Sequence, residues 1–160
     1  LGEMLDEMCT DNSLLWSEYQ VPADCAGWVH AFVSVAASLP ACVMLCDVSL
    51  SSTPMVHVNT ECSKMLGFSK ADLLGRNLCS LLSPQQGSDS AEPVVLDALN
   101  RGIECYARAT ISRSDGRRIS NLLVVQPVRD WTGVVRFCIA MPFEILANVK
   151  RERWMSRVTG

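Results

Sequence analysis

PMVHVNTECSKMLGFSKADLLGRNLCSLLSP, residues 54–84, is the stretch of the chain that decides its fold. A short apolar strand runs into Asn59, whose side chain can cap a helix with apolar residues at helical spacing. Gly67 ends that helix, and Ser69 can cap a second short helix that stops at Gly75. A third, mostly apolar turn completes the stretch. The segment therefore predicts a compact wall of one strand and three helical fragments.

Outside this wall, alternating apolar residues and turn signals predict four more strands. The turn residues Ser114, Asp115 and Gly116 separate two long alternating runs, which is typical of a β-hairpin. The predicted strands are 42–48, 55–58, 103–113, 117–128 and 134–141, and a helix is predicted from Pro93 to Asn100. The sequence thus predicts an α+β fold with a five-stranded antiparallel sheet and helices on one face.

Three motifs in this order resemble the signature of PAS domains, and specifically of their light-oxygen-voltage (LOV) branch. They are VNTECSKMLGFSKADLLGRN at 58–77, SDG at 114–116 and PVRDWTGVVRF at 127–137. The resemblance implies a PAS fold over residues 40–142. It also implies an N-terminal helical cap or extension over 1–39 and a C-terminal linker helix over 143–160.

The resemblance also implies a flavin pocket, but several of its positions depart from the family pattern. In the LOV branch, GRN is followed by the cysteine that bonds flavin, then by an arginine for its phosphate and, after two intervening residues, by a glutamine. Here those positions are Leu78, Cys79 and Leu82. Ile111 replaces a strand asparagine, and only Asn121 matches a polar flavin contact. We expect a vestigial pocket lined by eight residues: Leu78, Cys79, Leu82, Ile111, Asn121, Leu123, Ala140 and Pro142, the last in place of the family's closing glutamine.

This altered pocket predicts that no cofactor is bound and that flavin-cysteinyl photochemistry is lost. One residue along a helix turns a side chain by about 100°, so Cys79 should not point where the family's cysteine points. Each lost charge-assisted hydrogen bond is worth roughly 1.5–3 kcal/mol, and the loss of several makes flavin binding improbable. The alternative is a sensor domain that holds a small apolar ligand, or flavin itself, in the internal cavity.

Composition excludes several classes of function. The formal net charge of −3 predicts no nucleic-acid partner. Eight cysteines form no C-x-x-C pair and only two histidines are present, so no metal site is predicted. No catalytic motif is present, and no apolar run approaches the about 18 residues of a membrane span. We predict a non-enzymatic, cytoplasmic domain with reduced thiols.

The outer face of the sheet is the predicted interaction surface. Apolar residues alternate onto both faces of the last strands, and an antiparallel sheet with one face in water should show polar residues there. The interface candidates are Trp28, Phe32, Leu122, Val124, Phe137, Ile139 and Met141. The N-terminal helix after Asp24 either packs on its own sheet or contacts a second copy, and the sequence leaves both open. The predicted function is a regulatory module of signal transduction that forms a homodimer or controls an effector domain.

Overall fold

The computed structural model describes residues 14–83 and 90–146. The helical pieces predicted before residue 14, and most of the predicted linker helix, which would run over 147–160, lie outside the described residues. Within them, five strands form one sheet: β1 Met44–Asp47, β2 Met55–Val58, β3 Cys105–Ser112, β4 Arg118–Arg129 and β5 Val135–Glu144. The strand order is β2-β1-β5-β4-β3, and every neighbouring pair is antiparallel. The predicted α+β fold and antiparallel sheet are confirmed.

The helices begin and end close to the positions that the capping residues predict. They are α1 Ala26–Ala37, α2 Thr60–Leu66, α3 Lys70–Leu73, a 3-10 turn Leu78–Leu81 and α4 Ala91–Arg101. Asn59 accepts a hydrogen bond from the Cys62 N–H at 3.3 Å and so caps α2, while Ser69 caps α3 in the same way. Gly67 ends α2 with φ of 76°, a left-handed conformation that glycine adopts without strain.

Two apolar cores lie on opposite faces of the sheet. The inner core is formed by α2, α3, the 3-10 turn and α4 against the inward side chains of all five strands. The outer core lies beneath α1 and contains Leu15, Val29, Val33, Leu45, Val56 and Phe137. The N-terminal helix therefore packs on the sheet of its own chain, which decides between the two arrangements that the sequence left open.

Residues 14–25 are tied to the same outer face by polar contacts. The Trp16 N–H donates to the Val56 carbonyl at 2.8 Å. The Tyr19 hydroxyl donates to Asp47 at 2.5 Å, and burial together with this bond raises the pKa of Tyr19. His57 Nδ1 lies 2.5 Å from the Leu14 carbonyl oxygen. This part of the predicted extension is thus a fixed cover of the sheet.

Two details of the sequence prediction are wrong. The last strand runs to Glu144, through Pro142 and Phe143, where the end of the strand at residue 141 and the start of a helix were predicted. Proline is tolerated there because β1 begins at Met44, opposite Ala140, so β1 does not run beside Pro142 and needs no N–H from it.

The second correction concerns the face of α1 that is buried. From Asp24 onward, the spacing of apolar residues in the sequence predicts one stripe, formed by Trp28, Phe32, Val35, Ala36 and Leu39. In the structure Val29, Val33 and Ala36 are buried, whereas Val35 is 60% exposed. A spacing of three and four residues fits both stripes, so the pattern alone did not distinguish them.

Candidate functional site

The candidate site is the inner wall of the sheet facing the 3-10 turn. Alternation along the strands brings inward the side chains of Ala107, Ala109, Ile111, Asn121, Leu123, Val125, Cys138 and Ala140. These side chains are small or apolar, apart from Asn121. The register places Ala109 opposite Asn121 and Leu123 opposite Pro142, so the predicted pocket residues of β3, β4 and β5 share one face.

Asn121 is the polar member of this wall, and its amide is only partly satisfied. Its side chain is fully buried, and Nδ2 donates to the carbonyls of Ala109 and Ile119 at 3.1 and 3.2 Å. The Oδ1 atom is buried and has no hydrogen-bond partner. A buried amide oxygen without a donor costs about 1–3 kcal/mol. The orphaned oxygen therefore suits the ring N–H of a bound ligand.

The 3-10 turn positions the residues that occupy the family's cysteine and arginine positions. Asn77 caps it by accepting from the Cys79 N–H at 2.7 Å. Leu78 is buried, with 2% of its side chain exposed, and is part of the inner core. Cys79 is half-buried and also packs against this core. Burial, reinforced by Glu92 and Cys138, raises the pKa of Cys79 to about 11, so the thiol is protonated at neutral pH.

Leu82 and Ile111, which stand where the family has polar residues, lie opposite each other. Leu82 and Ile111 are partners in an isolated antiparallel bridge, and the Ser83 N–H donates to the Thr110 carbonyl at 2.8 Å. These contacts fix the end of the 3-10 turn against β3. The structure thus brings together all eight predicted pocket residues around one apolar wall, with Pro142 at its β5 end.

Two of the predicted interface residues, Trp28 and Phe32, belong to α1, and two others, Phe137 and Ile139, pack in the outer core beneath it. Trp28 stacks on Phe32 with ring centroids 5.6 Å apart, and its ring is 5.4 Å from that of Phe137. Phe137 is only 2% exposed, and Ile139 packs against the same outer core. Phe137 points outward as predicted, but its own chain covers it, so it is not on an open surface.

The other three interface residues lie on the uncovered half of the outer face. Leu122 is 36% exposed, while Val124 and Met141 are half-buried and occupy adjacent positions on β4 and β5. Tyr106 and Phe143, which sequence reasoning did not single out, continue the same surface. The alternation along β3 and β5 could have indicated Tyr106 and Phe143. The predicted last strand ended at residue 141, however, two residues before Phe143.

A groove of about 580 Å³ near the start of β1 was not predicted at all. Its lining includes Cys42 and four basic residues, Lys64, Arg113, Arg117 and Arg118, with Glu61 and Glu144. These residues come from four separate parts of the chain, so no local sequence pattern signals them. None of the helices within the described ranges has the length and apolarity that a membrane span requires.

Comparison with known proteins gives relatives that respond to light. The chain is 31% identical over 109 residues to phototropin-2 of Oryza sativa subsp. japonica, covering 68% of this chain and 12% of that protein. It is 24% identical over 107 residues to blue-light-activated histidine kinase 2 of Erythrobacter litoralis, covering 67% of this chain and 31% of that protein. The chain therefore spans less than a third of the length of these relatives.

A solved structure supports the fold independently. The Rhodobacter sphaeroides LOV protein superimposes with a TM-score of 0.68 at 24% identity, over 76% of this chain and 70% of the other. The similarity confirms the PAS fold that the motifs predicted.

These comparisons correct the prediction that no cofactor is bound. The relatives are light-responsive proteins, and the solved structure is a LOV protein, of the branch whose pocket holds flavin. The prediction rested on counting lost polar contacts, and it gave no weight to the retained Asn121 or to the apolar wall that faces it. The expectation of no flavin is therefore wrong by this comparison.

Family membership follows from the extent of the match. The profile of the PAS domain family matches residues 40–145, which is close to the predicted range and includes all five strands and the 3-10 turn. The described residues contain the five-stranded sheet and the helical wall of a PAS sensor domain. The chain belongs to the PAS domain family and has the fold of its light-oxygen-voltage members.

Proposed function

We propose that this chain is a sensor module of signal transduction that binds a flavin, or a similarly flat aromatic ligand, against the inner wall of its sheet. The observation that carries the proposal is the buried, unpartnered Oδ1 atom of Asn121. The similarity to light-responsive relatives supports it. A ligand ring with an N–H group would supply the missing donor and remove the cost of the orphaned acceptor.

The residues around Asn121 fit such a ligand. Leu78, Ile111 and Leu123 offer apolar surfaces to a flat ring, and apolar pockets with few convergent polar groups are typical of cofactor sites. Asn121 is held in place because its Nδ2 atom is bonded to two strand carbonyls, so its oxygen orientation is fixed. When bound, a flavin would supply absorption of visible light. The chain's own residues would exclude water and orient the ring.

We further propose that light does not form a bond between this ligand and a cysteine. Leu78 stands at the cysteine position and carries no thiol. Cys79, the next residue, has a pKa of about 11 because it is buried, so the nucleophilic thiolate is scarce at neutral pH. The signal would then arise from ligand binding or from changes in the hydrogen bond to Asn121.

The output is proposed to leave through the open half of the outer face. Leu122, Val124 and Met141 form an apolar surface there that a second copy or an effector domain of the same protein would cover. A cytoplasmic location, the absence of a nucleic-acid partner and the absence of a metal remain predictions from composition.

Reconstitution with flavin mononucleotide tests the binding proposal. The purified chain is titrated with the flavin, and binding is measured by equilibrium dialysis and by the visible absorbance spectrum. Asn121→Ala should weaken binding about tenfold, because one hydrogen bond is worth about 1–1.5 kcal/mol. Asn100→Ala, a change at an exposed position at the end of α4, is the matched control. If neither flavin nor any small molecule from the expression host binds, the proposed function is wrong.

Leu78→Cys tests the second part of the proposal. The flavin-loaded variant should lose its visible absorbance band on illumination and recover in the dark, because a thiol is placed at the family's position. The wild type should keep its band under the same light. Reversible bleaching of the wild type, abolished by Cys79→Ser, would show that Cys79 takes over the role and would refute this part.

A further inference from the structure

Two pairs of cysteines lie in the inner core, and they differ in their access to solvent. The Sγ atoms of Cys42 and Cys62 are 2.8 Å apart. Cys46 and Cys138 are cross-strand partners on β1 and β5, and both are fully buried. Cys42, in contrast, is 5% exposed and lines the groove of about 580 Å³. One member of the first pair therefore borders a groove that a small reagent can enter, and the second pair provides an internal reference.

The first pair is arranged as a donor and an acceptor. The Cys42 thiol donates to the sulfur of Cys62, which lies in the first turn of α2. This bond lowers the pKa of Cys62 although burial opposes the shift, and the backbone around Asn59 and Val43 adds to the lowering. The same bond and burial raise the pKa of Cys42. A proton shared between two adjacent sulfurs is the arrangement in which one sulfur becomes nucleophilic.

The groove that reaches Cys42 is lined by charged side chains. Lys64, Arg113, Arg117 and Arg118 line it together with the carboxylates of Glu61 and Glu144. Arg113 is held at this groove because it donates to the carbonyl oxygens of Lys64 and Met65 in α2. The groove therefore leads from charged side chains to Cys42, the member of the pair that lines it.

The pair also lies where three elements meet. Asn59, three residues before Cys62, donates from Nδ2 to the Ala36 and Ala41 carbonyls at 2.9 and 2.7 Å. Its Oδ1 atom accepts from the Val43 N–H at 3.1 Å. A covalent link between Cys42 and Cys62 would therefore fix the junction of α1, β1 and α2, which holds the outer cover against the sheet.

We propose that Cys42 and Cys62 form a dithiol modification site in which a small peroxide that enters the groove oxidises the pair to a disulfide. In the first step a sulfur attacks one peroxide oxygen, the O–O bond breaks, the departing oxygen leaves as water and the sulfur becomes a sulfenic acid. In the second step the other sulfur displaces the sulfenic oxygen, which leaves as a second water. Two electrons pass from the two sulfurs to the peroxide, and both thiol protons end in water.

The test follows both pairs in the same folded protein. The complete chain is treated with hydrogen peroxide, the remaining thiols are alkylated after unfolding, and the digested peptides are identified by mass spectrometry. A linked Cys42–Cys62 peptide should appear, with the loss of two hydrogens. It should form at least about tenfold faster than a Cys46–Cys138 link, because oxidation follows thiolate character and exposure. The melting temperature should rise with the link and fall again on addition of a reductant.

Matched variants separate the proposal from a general loss of structure. Cys42→Ser should abolish the link and the rise in melting temperature, whereas Cys46→Ser should leave both unchanged. Circular dichroism reports whether each variant folds, and the comparison of the two pairs in the wild type needs no variant. If Cys42 and Cys62 remain alkylatable while the half-buried Cys25 or Cys79 is oxidised, or if both pairs react at the same rate, the proposal is overturned. None of these outcomes depends on flavin binding.

Discussion

Both faces of the sheet carry apolar residues, but the two faces are covered in different ways. On the inner face, α2, α3, the 3-10 turn and α4 bury the side chains of all five strands. On the outer face, residues 14–37 cover β1, β2 and the near parts of β5 and β4, while β3 and the rest of β4 stay open. Tyr106 is 61% and Phe143 is 44% exposed on that open half.

This difference separates a buried surface that suits a ligand from an exposed surface that suits a partner. The inner face is closed and contains the buried, unpartnered Oδ1 atom of Asn121, which suits the recognition of a ligand. The outer face is closed only in part, and its open half presents apolar side chains that suit a partner. The strands between them have one side in each environment, so a change at one face reaches the other through a single layer of backbone.

The largest expected effect distinguishes the covered from the open half of the outer face. Phe137→Ala should lower the free energy of unfolding by about 3–5 kcal/mol, because it empties the space beneath Trp28 and α1. Phe143→Ala, on the same strand, should cost less than about 1 kcal/mol because the ring is largely in water. Urea denaturation measures both. Equal losses would mean that the two halves are covered alike.

A pH dependence tests how firmly the N-terminal segment covers the sheet. His57 is fully buried, and burial lowers its pKa below the usual 6.5, so the folded protein resists its protonation. Below pH 6.5 the unfolded chain binds this proton and the folded chain does not. The free energy of unfolding should therefore fall by about 1.4 kcal/mol for each pH unit below 6.5, until the lowered pKa is reached.

Chemical denaturation between pH 7 and pH 5 measures this slope. His57→Gln removes the titrating group and should flatten the slope, even if its stability at pH 7 is lower. A wild-type curve that is flat over this range would mean that His57 is solvated and that residues 14–25 do not seal the outer face near Leu14.

The smallest effect on stability is expected at the open half. Leu122→Arg places a charge at a position that is 36% exposed, so the free energy of unfolding should change by about 0.5 kcal/mol or less. The same change should dissociate a dimer formed through this face, because an unpaired charge would be buried in the contact. Analytical ultracentrifugation at micromolar concentration measures the oligomeric state. A wild type that is monomeric with and without its effector domain would contradict the proposed surface.

Local patterns predicted much of the fold correctly. Asn59, Ser69 and Gly67 mark helix ends because capping depends on residues that are close in sequence. The alternation of Asn121, Leu122 and Leu123 correctly predicted which side chains of β4 face inward and which face outward. This pattern, too, depends on residues that are close in sequence. The strand end at Glu144 was missed because the tolerance of Pro142 depends on where β1 begins, and β1 is far away along the chain.

The predicted pocket residues lie on the inner side of the sheet and on the 3-10 turn that faces it, and their role as a ligand site stays a prediction. The sequence could not show that Asn121 Oδ1 has no partner, since that depends on every group packed around it. The cysteine pair was missed because Cys42 and Cys62 are 20 residues apart and meet only when β1 and α2 pack together.

The sequence by itself determined the PAS scaffold, its strand faces and its helix caps, because these follow from periodicity and short-range hydrogen bonding. Only the tertiary structure decided that α1 covers its own sheet, which half of the outer face remains open and which sulfurs lie in contact. Those features depend on side chains far apart along the chain, and their burial is fixed only when the whole sheet and its covers assemble.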